Sequence, residues 1–296
     1  MISDVNGSYG STEYNPRVQR AVERIRDMQP DLVISAGDMV AGQKQPSLDE
    51  SRLAAMWASF HALVSDPLKA SNIDFVVSAG NHDGSALPGF ERERNMFRAQ
   101  WNDRRPHAHL LTGSDWPRRY AFWLNDILVI IIDGSRAGAL GKADHELLRT
   151  ALSEGSEAQF TMVVSHLPAW PLAQGREHET INDPVLSALI RQGKIQFLVS
   201  GHHHVFYPGR DGFGMMHFAA GPLGGNARRI VGQDERAAFS FMVLDICGQS
   251  WHVSALKAPE FTDEVDIGNL PSRLGSGQEL LIRADRSGDI PFRECH

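Results

Sequence analysis

Apolar positions recur along the chain with two periods, and the alternation between them sets out most of the elements. From Tyr14 to Gln29, Val18, Ala21, Val22, Ile25 and Met28 fall at helical spacing, with Asn15 placed as N-cap and Pro16 at the first helical position. The run DLVISAGD (31–38) then reads as a short strand closed by Gly37 and Asp38. SLDESRLAAMWASFHALV (47–64) predicts a helix opened by a capping box from Ser47 to Glu50, with Leu53, Met56, Trp57, Phe60 and Val64 on its apolar face. DFVVSAGNHD (74–83) is a second strand running into a polar loop. A helix follows over 90–102, anchored by Phe90, Phe97 and Trp101. The segment from Arg118 to Asp133 predicts a hairpin with Asn125-Asp126 in its turn.

Farther on, the pattern predicts a helix at 143–154, a strand at FTMVVSH (160–166), a helix at 183–192 and a strand at IQFLVSGHHH (195–204). From Gly214 to Ala258 the helical period disappears, and four strands are expected: GMMHFAA, RRIVG, AFSFMVLDI and SWHVSALKA. This predicts one α/β domain over 1–258, followed by an irregular tail over 259–296. In such folds ligands gather outside the carboxyl ends of the strands. Polar residues stand there in this chain: Asp4 and Asn6, Asp38, Asn81-His82-Asp83, His166, and His202 with His204. Each alone has an ordinary reading as a turn former or a hydrogen-bonded histidine. Together they bring oxygen donors and imidazoles to one sheet edge, a mixture suited to one or two borderline metals and not to a calcium cage.

The order of these residues resembles the calcineurin-like metallophosphoesterase family, whose pattern is D-x-H, GD, GNH-D/E, a lone H, and GHxH. The matching residues are Asp4-Val5-Asn6, Gly37-Asp38, Gly80-Asn81-His82-Asp83, His166, and Gly201-His202-His203-His204. The resemblance spans roughly the first 205 residues. It implies a four-layer α/β/β/α sandwich of two mixed β-sheets flanked by helices. It also implies two divalent or mixed-valence metal ions (manganese, iron or zinc). One would be held by Asp4, Asn6, Asp38 and His204, the other by Asp38, Asn81, His166 and His202, with Asp38 bridging. His203 should point elsewhere. His82 would face the substrate as proton donor or charge stabiliser, oriented by Asp83. The implied activity is hydrolysis of phosphate mono- or diesters by a metal-bound hydroxide.

Two departures bear on this. Asn6 stands where the family has histidine, so that metal position loses an imidazole and should favour harder ions such as manganese over zinc. Asn6 also has a second reading, as a turn residue supporting Gly7. Ala41 occupies the position where the purple acid phosphatase branch has tyrosine, which sets that branch aside. Arg176, Arg210, Arg228 and Arg229 are expected on the solvated surface, and GPLGGN (221–226) as a simple turn. A non-catalytic scaffold with a degenerate site, or a nuclease, are the competing readings. The loss of histidine at position 6 is the only support for the scaffold.

Composition narrows the partners. The formal charge of −7 and the absence of a basic stripe disfavour nucleic acid and fit a small phosphorylated substrate. No apolar run is long enough to span a membrane. Cys247 and Cys295 are too few for a disulfide framework and are not spaced as a metal-ligand pair. Only three residues precede Asp4, short of the usual ~5–6-residue strand. The natural product is therefore expected to begin farther upstream, where an export signal could lie; without one, the default compartment is the cytoplasm.

Overall fold

The structure is a computed structural model that describes residues 1–284. Helix α1 (Pro16–Met28) starts as expected, with the Asn15 side chain accepting from the Arg17 amide. Strand β1 (Leu32–Ser35) follows, then α2 (Glu50–Phe60), α3 (Asp66–Ala70), β2 (Asp74–Val77) and α4 (Glu91–Trp101). The hairpin β3 (Tyr120–Leu124) and β4 (Ile127–Ile131) turns through Asn125, whose φ of 51° suits an asparagine in a tight turn. Next come α5 (Lys142–Glu154), β5 (Phe160–Val164), α6 (Pro184–Arg191), β6 (Phe197–Ser200), β7 (Tyr207–Arg210) and β8 (Met216–Ala219). A long hairpin, β9 (Ser240–Cys247) and β10 (Ser250–Lys257), precedes two short strands, β11 (Arg273–Leu274) and β12 (Leu281–Arg283).

Eight strands form one mixed sheet in the order β11-β12-β7-β8-β6-β5-β4-β3, with β4, β5, β6 and β8 parallel to one another. The parallel pair β1-β2 and the antiparallel pair β9-β10 are separate ladders, which residues 1–2 stitch together. Ile2 exchanges bonds with Ile34 and Ala36 on the β1 side, and Met1 with Met242 of β9 on the other. The two ladders thereby act as a second mixed sheet.

Side-chain alternation separates the layers. Val129, Ile131, Met162, Val164, Phe197 and Val199 face inward, in one core with Ile2, Val33, Phe241, Val253 and the apolar faces of α1, α2 and α4. Their sequence neighbours Leu128, Ile130, Val163 and Leu198 face the other way, onto Leu147 and Leu148 of α5 and Leu186 and Ile190 of α6. The molecule is thus an α/β/β/α sandwich. Both Trp57 and Trp101 lie in the core.

Several local expectations change. The α2 helix is capped by Asp49, which accepts from the Arg52 amide at 2.7 Å, and not by Ser47, because the chain reaches helical geometry only at Glu50. The helix also runs on past Val64, through a widened turn at His61–Ser65 into α3, where Pro67 has no amide to offer a preceding carbonyl. RRIVG is not a strand. Ile230 and Arg229 make single bridges, to Ala173 and Arg236, and Ile230 packs in a small core with Leu172 and Tyr207. Part of the tail is regular: β12 pairs with β7, and Leu274 and Leu281 are buried. Residues 285–296, which include Cys295, lie outside the described residues. Among the described residues no helix is long and apolar enough to cross a membrane.

Candidate metal centre

Strand ends bring the predicted ligands together. Asp4 follows the stitching segment, Asp38 follows β1, Asn81 follows β2, His166 follows β5, and His202 and His204 follow β6. Asp4, Asp38 and His166 are fully buried, and each offers a ligand atom within 4.8 Å of the other two. Among the described residues, eight that are not glycine have a positive φ, and four of these are Asp4, Asp38, His202 and His204. Such backbone costs about 1–3 kcal/mol per residue and concentrates at functional sites.

Outward hydrogen bonds fix what each side chain offers inward. His166 Nδ1 donates to the Ala36 carbonyl at 2.7 Å, which leaves the Nε2 lone pair facing the centre. His204 Nδ1 donates to the Asn226 carbonyl at 2.7 Å and places Nε2 3.0 Å from Asp4 Oδ1. His202 Nε2 donates to Glu179 at 2.6 Å and turns Nδ1 to within 3.3 Å of His166 Nε2. Asn81 Nδ2 donates to Gln43 at 3.1 Å, so Oδ1 lies 3.0 Å from His166 Nε2. Asp38 Oδ1 accepts from the His82 amide at 2.8 Å, and Oδ2 stands 3.4 Å from His166 Nε2. The approach is close enough that a Cβ on Gly80 would lie 2.1 Å from Asp38 Oδ1.

The result is a convergence of acceptors without donors. Asp4 Oδ1, Asn6 Oδ1 and Asp38 Oδ2 are buried and accept no directed hydrogen bond. Among the described residues no lysine or arginine pairs with Asp4 or Asp38. A divalent cation fits this donor set of two carboxylates, two amide oxygens and three imidazoles. Electrostatics points the same way. Burial pushes His166 toward the neutral form, yet the Asp38 and Asp4 carboxylates overcome it and raise its pKa to about 9. Burial likewise opposes charge on Asp4, but His204 outweighs it and holds the carboxyl at about 2.

A family model described as calcineurin-like phosphoesterase matches residues 1–206. The chain belongs to the calcineurin-like phosphoesterases. Among solved structures, a dimetal phosphatase from Danio rerio superposes with a TM-score of 0.60 at 14% identity, covering 89% of this chain and 96% of that one. Vps29 from Entamoeba histolytica, solved in complex with zinc, aligns over 86% of this chain and 93% of its own at 12% identity, with a TM-score of 0.37. No curated protein matches the sequence.

Within this calcineurin-like centre some expected contacts differ. Asp83 does not hold the His82 ring. Its carboxylate accepts from the Met39 and Gly80 amides at 2.6 and 2.7 Å and so ties the Asp38 loop to the Asn81 loop. Burial and the neighbouring Asp38 charge raise the Asp83 pKa to about 7. His82 is partly exposed, with Nε2 3.7 Å from Asp38 Oδ2 and the Tyr9 ring 5.0 Å away. His203 points away as expected, accepting from the Leu172 amide. Arg228 is not a free surface residue; it is half-buried and donates to the His202 carbonyl at 2.9 Å. Arg176 is likewise engaged, in an ion pair with Glu179. The GPLGGN turn is part of the site wall: the Gly224 and Gly225 amides both donate to the Asp4 carbonyl, and a Cβ on Gly224 would lie 1.8 Å from the Val5 oxygen. Sequence reasoning missed Gln43 and Glu179, which lie in aperiodic loops with no motif around them.

Proposed function

We propose that this protein is a dinuclear metal-dependent hydrolase of phosphate esters. One ion is assigned to Asp4, Asn6, Asp38 and His204, and the other to Asp38, Asn81, His166 and His202, with Asp38 shared. The observation that carries this reading is the set of inward-facing acceptors on Asp38, Asn81, His166 and His202, whose own donors are all committed outward. When bound, such ions acidify water and gather phosphate oxygens for in-line displacement. Asn6 supports the ligand assignment, because a residue acting only in a turn would spend its amide oxygen on a nearby backbone amide, and this oxygen is buried and unspent.

His82 is the proton donor in this proposal. It is the one motif imidazole at the partly open edge of the centre, and its side chain is 20% exposed where those of His166 and His202 are 0% and 8%. That position lets it meet the oxygen that departs from phosphorus. Arg228, which donates to the His202 carbonyl, adds positive charge beside the centre and could attract a phosphate. Manganese, iron or zinc are the candidate metals, and the substrate is a small phosphorylated molecule.

The test is metal analysis combined with turnover of aryl phosphate mono- and diesters under added manganese. Two ions per chain and ester cleavage abolished by chelator are expected. Manganese-loaded protein that cleaves neither ester class would overturn the proposal.

A further inference from the structure

His202 and its neighbour His203 are both held by one loop. The loop from Leu172 to Glu179 is clasped to the GHHH turn through the middle histidine. The Leu172 amide donates to His203 Nδ1 at 3.1 Å, and His203 Nε2 donates to the Glu179 carbonyl at 3.2 Å. This fixes the Glu179 main chain beside His202. The Glu179 side chain then divides its two oxygens: Oε2 accepts from His202 Nε2 at 2.6 Å, and Oε1 is bound by Arg176 Nη1. With both oxygens committed, the carboxylate has little freedom to swing away.

We infer that Glu179 is the positioning residue that makes His202 a ligand, an inference resting on the metal-centre reading above. By taking the Nε2 proton, Glu179 sets the tautomer and leaves the Nδ1 lone pair on the side where His166 Nε2 stands 3.3 Å away. His202 needs this support because its backbone is left-handed, at a φ of 60°, and its own main chain is tied to Asp4 Oδ2 and Arg228. The ring is the only part still free to rotate. A carboxylate behind a metal-binding imidazole also makes the imidazole a stronger donor. Arg176 and His203 serve the same end at one remove: one steadies the carboxylate, the other steadies the backbone that carries it.

The full chain loaded with Mn²⁺ is challenged with rising chelator, and retained metal is counted alongside the melting temperature. Wild type should lose two ions in two steps, and His202→Ala identifies which step belongs to the His202 site. Glu179→Ala should move that step to chelator concentrations about 10–100-fold lower and leave the other step in place. Glu179→Gln, which keeps an acceptor oxygen without the charge, should fall between, and Arg176→Ala should shift the same step by less. Wild-type retention in Glu179→Ala overturns the inference. So does an equal shift of both steps with a fall in melting temperature, which marks a merely structural role. Wild type that retains no Mn²⁺ removes the metal-centre reading itself and this inference with it.

Discussion

Asp133 follows the apolar run of β4 much as Asp38 follows β1, and both side chains are buried at strand ends. Their surroundings are opposite. Asp133 is bound by Arg94 and lies 3.4 Å from Arg119 Nη2, while Ser135 donates to it at 2.8 Å. Arg119 also bonds the buried Asp144 through Nε at 3.1 Å, so two acids share two guanidinium groups. Among the described residues Asp4 and Asp38 have no lysine or arginine partner and meet imidazoles, backbone amides and the Ser3 hydroxyl. An aspartate after an apolar run is therefore not a ligand signal in itself. What separates the two clusters is whether the protein supplies the neutralising charge. Arg94 also donates to the Gly84 carbonyl at 2.6 Å, so the satisfied cluster buttresses the loop that carries His82.

The sharpest break in this contrast is Asp38→Ala. It removes the shared ligand, so metal content should fall at both positions and ester hydrolysis should drop to background. Full occupancy of both sites in that variant would defeat the bridging role. Next in size is His82→Ala, which should keep both metals and slow turnover by roughly 10²–10⁴-fold, as for loss of a general acid. Loss of metal in its place would make His82 a ligand.

Stability should divide the clusters in the opposite sense. Asp133→Ala leaves Arg94 without its carboxylate partner, while Arg119 keeps Asp144, and should cost about 3–5 kcal/mol in urea unfolding, with metal stoichiometry unchanged. In chelated protein Asp38→Asn should lower the urea midpoint by less than Asp133→Ala does, because Asp38 is offset by imidazoles and a backbone amide and not by guanidinium groups. A fall as large as that of Asp133→Ala would show that Asp38 is already paired. The smallest effect concerns Asn6→His, which should tighten the site of Asp4 and His204 and leave the other unchanged; manganese titration of chelated enzyme reads it. Unchanged affinity, with two tight zinc ions in the native protein, would place the weak point elsewhere.

The convergence of the candidate ligands was legible because each ends an apolar run, and strand geometry delivers such ends to one edge. The supports were not. Glu179 reaches His202 across 23 residues, from a loop with no periodicity. Gln43 reaches Asn81 across 38. β7 escaped notice because YPGR carries a proline and a glycine, both poor strand formers, and pairs only through the tertiary fold. RRIVG erred in the other direction: Ile230 is buried and Val231 half-buried in a small core, with single bridges and no ladder. Arg228 could not be told from a surface arginine without knowing that the His202 carbonyl lies beneath it.

The left-handed backbone at Asp4, Asp38, His202 and His204 has a consequence for how such a protein ages under mutation. At each of these positions glycine would relieve the strained conformation, so the backbone by itself would gain from losing these candidate ligands. Under the proposed function, selection on the metal centre is what would hold them in place. In a lineage freed from that selection, these four positions should be among the first to drift, and their glycines would arrive with a rise in thermal stability. If the proposed metal centre is in use, all four side chains should persist in this conformation at a standing cost to the fold.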